Sequence, residues 1–386
     1  MHIGIHCFEY PPCNHGGIGS FTKDLAEGLV RAGHKVTVFG LYYSHVLDIN
    51  DEIIEEINGV KVYRYPFNSK FKNKRLNLFI SRLKLFNVIK DINKKDEFDI
   101  IETPENQGWL PVGLPNKIPM ITRLHGGVTY FGVELNRKSS RIEKYLEKYQ
   151  LLNTNHIVSV SDYTAKKTLD IFNIKKDYSV IYNSVQLPKN LDCNKIETQK
   201  NLIVFTGSVL PKKGVESLVR AMNIICEEIP EVKLIIAGKN IFIKDGKKYE
   251  EYLMDLVNEK FKDNISFAGS LNRENELFPL ICSANLCCYP SYTEAFAIAP
   301  LEAMALEKPV VYSILSSGKE ALIHGESGLL ADPRKPDDVA ENILMVLRDE
   351  NLAKKLAKNG KERIEKLFNY DKWLNDNVKL FNKFKK

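Results

Sequence analysis

No uninterrupted apolar run in the 386 residues approaches the roughly 18 that a membrane-spanning helix requires. The opening stretch, MHIGIHCFEYPP, lacks the basic-then-apolar layout of a secretory leader and enters a strand-like pattern at once. These two absences predict a cytoplasmic protein. Cysteine is sparse: Cys7, Cys13, Cys193, Cys226, Cys282, Cys287 and Cys288 make an odd total with no zinc-type spacing. That excludes a disulfide framework as the organising device, and the adjacent Cys287 and Cys288 are expected to pack as small buried side chains. No recognised nucleic-acid-binding motif is present, so no nucleic-acid partner is expected.

What is there describes a globular protein of more than one core. The length suggests two or three domains, and 44% apolar with 27% charged residues is ordinary for that class. The net charge of +6 is modest but unevenly spread. Residues 68–95 hold nine Lys/Arg against one Asp, interleaved with Leu, Phe and Ile. Two readings stay open: a solvated helix with one buried face, or a basic amphipathic surface that rests on anionic lipid.

Strand-like runs alternate with helical patterns through most of the chain. HIGIHCF, KVTVFG, VKVYRYPF, FDIIET, MITRLHG and HIVSVS are the strand candidates of the first half. Ser20 is placed to cap the helix FTKDLAEGLVRA, with Gly33 to end it, and Ser161 is placed to cap DYTAKKTLDIF. The polar stretch 186–201 has no clear period and reads as a linker. Alternation then restarts with NLIVFTGS, VKLIIAGK, NISFAGS, NLCCYPS and KPVVYS. The pattern predicts an α/β protein of two Rossmann-like domains, 1–186 and 201–369, joined by a linker at 187–200. A terminal amphipathic helix, 370–386, offers Trp373 and Phe381 for packing. In open α/β sheets ligands sit beyond the carboxyl ends of the strands, so the loops there are the place to look.

Four such loops have unusual composition. In EYPPCNHGGIGS, residues 9–20, Gly16, Gly17 and Gly19 permit close backbone approach before a helix start. The dinucleotide fingerprint fails there, because position 22 is Thr and no acidic residue follows the second strand closely. In RLHGG, His125 ends a strand and is expected to point outward; a structural and a functional histidine are equally in keeping with that place. In TGSVLPKKGVESL, Gly207 ends a strand, and Lys212 and Lys213 stand beside a helix start, a good setting for a diphosphate. In PSYTEAFAIAPLEAMA, Glu294 lies in a loop otherwise free of charge, and Glu302 in the first turn of the following helix. A first-turn glutamate is favourable in any helix, which accounts for Glu302 but not Glu294. Two carboxylates with the amides of Phe296, Ala297 and Ile298 between them suit a ligand with hydroxyls at both ends and phosphates in the middle. A nucleotide-sugar has that anatomy.

With these residues the chain resembles the retaining glycosyltransferases of family 4, of GT-B fold. The resemblance rests on the Glu–x7–Glu motif EAFAIAPLE and on RLHGG, VSVSDYT, VIYNSV, FTGSVLPKKG and SSGKEALIHGESGLLAD in order, and it spans nearly the whole chain. It implies two Rossmann-like domains facing across a cleft, with Glu302 on the donor ribose and Glu294 on the transferred sugar. Phe296, Ala297 and Ile298 would contact sugar and diphosphate, with Gly207 and Ser208 beside them. Lys213, with Lys212, would neutralise the leaving diphosphate. Gly17 would approach the donor phosphates, and His125 would lie near the anomeric carbon. His125, Glu294 and Lys213 are thus the catalytic candidates. Two departures stand out: Ser208 where the family commonly has arginine, and Ala297 where it has a second glycine.

The chain has no Asp-x-Asp, the motif with which metal-dependent transferases hold a cation on the diphosphate. The expected reaction is therefore metal-independent transfer of a hexose from a nucleotide-diphosphate sugar, with no cofactor, to a glycan or lipid-linked acceptor. Glu105, Asn106 and Tyr130, in loops of the first domain, are the acceptor candidates, and a surface or packing role is equally in keeping with each. A nucleotide-sugar epimerase of the same architecture and a non-catalytic nucleotide-sugar binding protein are the alternatives, and an NAD-dependent oxidoreductase is more distant.

Overall fold

A computed structural model describes residues 1–13, 15–67, 74–188, 190–240 and 242–384. Part of the basic stretch, residues 68–73, lies outside the described residues. The chain divides into two units, Met1–Tyr182 with Asp371–Lys386, and Asn183–Tyr370.

The first unit is built on eight strands: β1 (His2–His6), β2 (Lys35–Tyr42), β3 (Ile53–Ile57), β4 (Val60–Pro66), β5 (Ile100–Pro104), β6 (Met120–Leu124), β7 (His156–Ser159) and β8 (Tyr178–Val180). Their order in the sheet is β3-β4-β2-β1-β5-β6-β7-β8. Every pairing is parallel except β3 with β4. That antiparallel edge was not anticipated, although Asn58 and Gly59, both at positive φ, form the Asn-Gly turn that favours a two-residue hairpin. The helices are α1 (Gly17–Arg31), α2 (Lys74–Lys95), α3 (Val128–Glu134), α4 (Arg141–Asn153) and α5 (Asp162–Phe172). The central strands β1, β5 and β6 are buried along their whole length, and the polar residues they carry are paired inside, as Arg123 of β6 is with Glu102 of β5.

Ser161 caps α5 as expected, its hydroxyl accepting from Thr164 N–H at 3.1 Å. Ser20 does not cap α1. That helix begins earlier, at Gly17, because the Glu9 carboxylate accepts from the N–H groups of Gly16 (3.1 Å) and Gly19 (2.8 Å). A side chain from the preceding loop thus does what a local cap would do.

The second unit holds a six-stranded sheet, parallel throughout, whose order is β13 (Ile265–Gly269), β10 (Lys233–Ala237), β9 (Leu202–Thr206), β14 (Leu286–Tyr289), β15 (Val310–Ser313), β16 (Leu329–Ala331). A small hairpin of β11 (Ile243–Lys244) and β12 (Lys247–Lys248) accompanies it. The helices are α6 (Val215–Glu228), α7 (Tyr249–Met254), α8 (Phe278–Ser283), α9 (Ala299–Ala305), α10 (Gly318–Ala321), α11 (Pro336–Arg348) and α12 (Glu350–Arg363). Cys287 and Cys288 are fully buried in β14.

The stretch read as a linker belongs with the second unit. Cys193 forms a disulfide with Cys282 of α8, and Gln199 N–H donates to the Ser283 carbonyl at 2.8 Å. This pairing corrects the expectation from cysteine spacing: the partners are 89 residues apart, and only the fold makes them neighbours.

The terminal helix α13 (Tyr370–Asn382) packs on the first unit. Trp373 meets Phe21 of α1 edge-on at 5.4 Å, and fully buried Asn377 accepts from Arg123 Nη2 at 2.6 Å.

Candidate functional site

In the second unit two βα loops are fastened to each other. Beyond β9 the chain passes Gly207 and exposed Ser208 and makes one 3-10 turn, Pro211–Lys213, before α6. Gly214 has φ +70°, and a Cβ there would stand 1.7 Å from the Pro290 carbonyl oxygen beyond β14. Tyr292 N–H donates to the Lys212 carbonyl at 2.8 Å. Glycine is therefore required at 214 both by its backbone angle and by the closeness of the other loop.

That contact brings Lys213 Nζ to 2.5 Å from Glu294 Oε1. The same oxygen accepts from Ser291 Oγ at 3.1 Å. Burial by itself would push the Glu294 carboxyl up. Lys213 and Lys212 outweigh it, and the group is held below its ordinary value. A buried carboxylate kept ionised by a neighbouring lysine is a permanent hydrogen-bond acceptor.

After Glu294 the chain passes buried Phe296, whose carbonyl accepts from Asn183 Nδ2 at 2.8 Å, and half-buried Ala297 and Ile298. Glu302 follows in the first turn of α9, only 6% exposed. Its Oε1 accepts from Arg273 Nε (2.9 Å) and Nη2 (2.5 Å). Arg273 comes from the turn beyond β13 and also lies over the Phe278 ring at 5.1 Å. Sequence reasoning missed it, because SLNRENEL reads as a polar surface turn. The only local signal was an arginine just after the carboxyl end of a strand. Gly238 was missed as well: a Cβ there would meet the Gly207 carbonyl oxygen at 1.8 Å, so the tips of β9 and β10 touch backbone to backbone.

In the first unit, the loop after β6 is built over two buried carboxyls. His125 N–H donates to Glu105 Oε2 at 2.9 Å. Glu147 accepts from Gln107 (3.0 Å) and Val128 (2.8 Å) at Oε1 and from Thr129 (3.1 Å) at Oε2. Burial, with the Glu147 charge adding to it, pushes Glu105 up to about 8. The His125 imidazole is half-buried with Phe21 4.6 Å away, and burial, then Arg123, push it down to about 3. The imidazole is therefore neutral near pH 7 and offers one donor and one acceptor.

Two of the acceptor candidates take the packing alternative in this structure. Glu105 and Tyr130 are each only 1% exposed. Glu105 carries the His125 loop from beneath, and Tyr130 packs edge-on against Phe131 at 5.1 Å. Polarity in a glycine-rich loop suggested a ligand contact, whereas both side chains fold inward to support that loop. Asn106 is half-buried. Gly17 differs from its neighbours: a Cβ on Gly19 would stand 2.2 Å from the Glu9 carbonyl oxygen, while one on Gly17 would meet nothing within 4 Å. Packing requires Gly19 and leaves Gly17 unexplained.

Among the described residues, no group of three or more His, Cys, Asp or Glu is arranged to hold a metal ion.

Two family models together span most of the chain. Glycosyltransferase Family 4 matches residues 15–188, and Glycosyl transferases group 1 matches residues 188–363. An uncharacterized glycosyltransferase of Methanocaldococcus jannaschii is 30% identical over 334 residues, covering 85% of this chain and 86% of the relative. Among solved structures, sucrose-phosphate synthase from Thermosynechococcus elongatus superposes with a TM-score of 0.80 at 23% identity, covering 99% of this chain and 98% of that one. Anabaena HepE in complex with UDP and glucose gives a TM-score of 0.73 at 16% identity, covering 99% of this chain and 100% of that one.

Proposed function

Since the chain belongs to glycosyltransferase family 4 and is a glycosyltransferase of GT-B fold, we propose that it moves a hexose from a nucleotide-diphosphate sugar to a glycan or lipid-linked acceptor. In this reading the transfer retains anomeric configuration, needs no metal ion and serves the synthesis of a cell-surface polysaccharide or glycolipid. The observation that carries the proposal is the Lys213–Glu294 pair, fixed where two strand-end loops are fastened together.

The diphosphate lies against Lys213 and Lys212 and the backbone of Gly207 and Ser208, with the first-unit loop at Gly17 as a further phosphate contact. Glu302 accepts from the ribose hydroxyls and Glu294 from hydroxyls of the hexose, next to the amides of Phe296, Ala297 and Ile298. As the bond from the anomeric carbon to the phosphate oxygen breaks, negative charge grows on the departing diphosphate, and the lysines stabilise it as a cation would. The acceptor hydroxyl attacks from the face the diphosphate leaves, and its proton passes to the departing phosphate oxygen. Neutral His125 lies beside the sugar as a hydrogen-bonding partner, and half-buried Asn106 remains an acceptor contact. A UDP-sugar is the first donor to try, since HepE, of similar fold, has been solved with UDP and glucose.

A panel of nucleotide-sugars, scored first by thermal shift and then by turnover, tests this directly. The expected result is stabilisation by one donor, release of its nucleoside diphosphate only in transfer, and a product of unchanged anomeric configuration by NMR. Activity should survive EDTA. Donor consumed without nucleotide release would mark an epimerase, and donor bound without turnover a binding protein. A sugar trapped covalently on Glu294 would overturn same-face attack.

A further inference from the structure

Three neighbouring strands of the second unit end at glycines whose backbones are joined. Gly207 N–H donates to the Ala237 carbonyl at 2.9 Å, and Gly238 N–H donates to the Gly269 carbonyl at 2.7 Å. Gly269, at φ +68°, ends β13, and Arg273 follows four residues on. The turn that carries Arg273 is fixed by its own hydrogen bonds. Asn272 Oδ1 accepts from the N–H groups of Glu274 (3.1 Å) and Asn275 (3.0 Å), and Glu276 Oε2 accepts from Asn272 N–H (2.7 Å). Leu277 N–H reaches back five residues to the Asn272 carbonyl at 2.9 Å. Turns of that width are rare and recur at functional sites.

The Arg273 side chain is 47% exposed and that of Glu302 only 9%. An ion pair open to solvent on one side adds little to stability. The geometry of this one suits another use. Nε and Nη2 both donate to Glu302 Oε1, and among the described residues no hydrogen bond reaches Oε2. A fork-to-fork pairing would have engaged both oxygens; this pairing takes one and spares the other. The last torsion of a glutamate is soft, so an unheld carboxylate presents either oxygen over a range of directions. Held at Oε1, Glu302 presents Oε2 alone.

We propose that Arg273 is a positioning residue for the donor's ribose: it fixes the Glu302 carboxylate so that Oε2 receives the sugar hydroxyls, and the preference for ribose over deoxyribose depends on it. This rests on the reading of Glu302 as the ribose acceptor and adds the residue that makes that acceptor selective.

The test is calorimetric titration of the full-length protein with UDP, ADP and GDP, each beside its 2′-deoxy and 3′-deoxy form. Wild type should bind one of the three ribonucleotides, and removing a ribose hydroxyl should weaken it by about tenfold or more. Arg273→Met should weaken that ribonucleotide by about tenfold and leave the discriminated deoxy form within about twofold, so that the ratio between them collapses. Arg273→Lys, which restores a cation with a different donor geometry, should recover part of the ratio. Both variants change a half-exposed side chain and should keep the wild-type unfolding midpoint. An arginine with a merely structural role would weaken the ribose and deoxyribose forms alike. A wild-type ratio that survives in Arg273→Met but is lost in Glu302→Gln overturns the proposal and leaves the ribose role of Glu302 standing. A ratio that survives in Glu302→Gln, or is absent from wild type, overturns that role and this proposal with it, as does failure of all three diphosphates to bind.

Discussion

At the scale of single residues, each unit buries a carboxyl beside its strand-end loops, and the surroundings pull the two in opposite directions. Glu294 is buried but held ionised by two lysines, whereas Glu105 is buried without a cation and pushed up to about 8. Replacing Lys213 with methionine leaves burial opposed by Lys212 and the Ser291 hydroxyl without the stronger lysine, so the Glu294 carboxyl must rise. Turnover by Lys213→Met should fall by about two to three orders of magnitude, and the acid limb of its pH–rate profile should move toward neutrality. An unmoved limb would separate Lys213 from the ionisation of Glu294. Glu105 makes a prediction about folding. Between its ordinary 4.5 and about 8 the folded chain holds a proton that the unfolded chain has released, so its contribution is full below 4.5 and is lost as pH rises through 8. His6, fully buried and pushed down to about 3, acts oppositely, and its contribution is lost as pH falls below 6.5. Stability by urea unfolding should therefore decline from about pH 6.5 toward 8, by at most about 1.4 kcal/mol per pH unit from Glu105. Glu105→Gln, which keeps an acceptor for His125 N–H, should flatten that decline.

At the scale of elements, glycines separate packing from ligand approach. Gly214→Ala forces a Cβ into the Pro290 carbonyl and a left-handed backbone onto alanine. It should cost about 3 kcal/mol or more in stability and weaken donor binding, because the two loops must part. Gly17→Ala meets no neighbour within 4 Å and sits at the first turn of α1. Its melting temperature should hold or rise slightly while kcat/KM falls, and unchanged kinetics would remove Gly17 from the donor contacts. These contrasts show what the sequence could and could not disclose. Mostly apolar runs between turn residues announce the strands, since a parallel strand covered on both faces has few places for an unpaired polar side chain. The charge-free surroundings of Glu294 also stand out, because an isolated acid in an apolar loop needs a reason. Contacts distant along the chain leave no local trace. Arg273 reaches Glu302 across 29 residues, Cys193 reaches Cys282 across 89, and Glu9 displaces the expected cap of α1 from another loop. Glu105 and Tyr130 look like ligand contacts in the sequence because polarity is visible there and burial is not.

At the scale of the whole molecule, the first unit is assembled from two ends of the chain, with the entire second unit encoded between them. Helix α13 supplies more than surface cover. Arg123 is fully buried, and its charge is met by Glu102 at 2.7 Å from both Nε and Nη2. Asn377 accepts from the same Nη2 at 2.6 Å while its own amide donates to the Trp373 carbonyl at 2.9 Å. Trp373 in turn closes over Phe21, whose ring also borders Arg123 and His125. Removing the helix would leave a buried guanidinium short of an acceptor and uncover aromatic surface, costs of about 1–3 kcal/mol for the first alone. A fragment of residues 1–182 should therefore be unstable, showing no cooperative thermal transition by circular dichroism, and a peptide of residues 370–386 added in excess should restore one. In the full-length protein, Asn377→Leu should lower the unfolding midpoint and lower turnover with it, because the side chain it releases borders the ring against which His125 is held. A 1–182 fragment that melts cooperatively alone would show that the sheet needs no help from the terminal helix, and would leave α13 without the role in supporting His125 that its contacts imply.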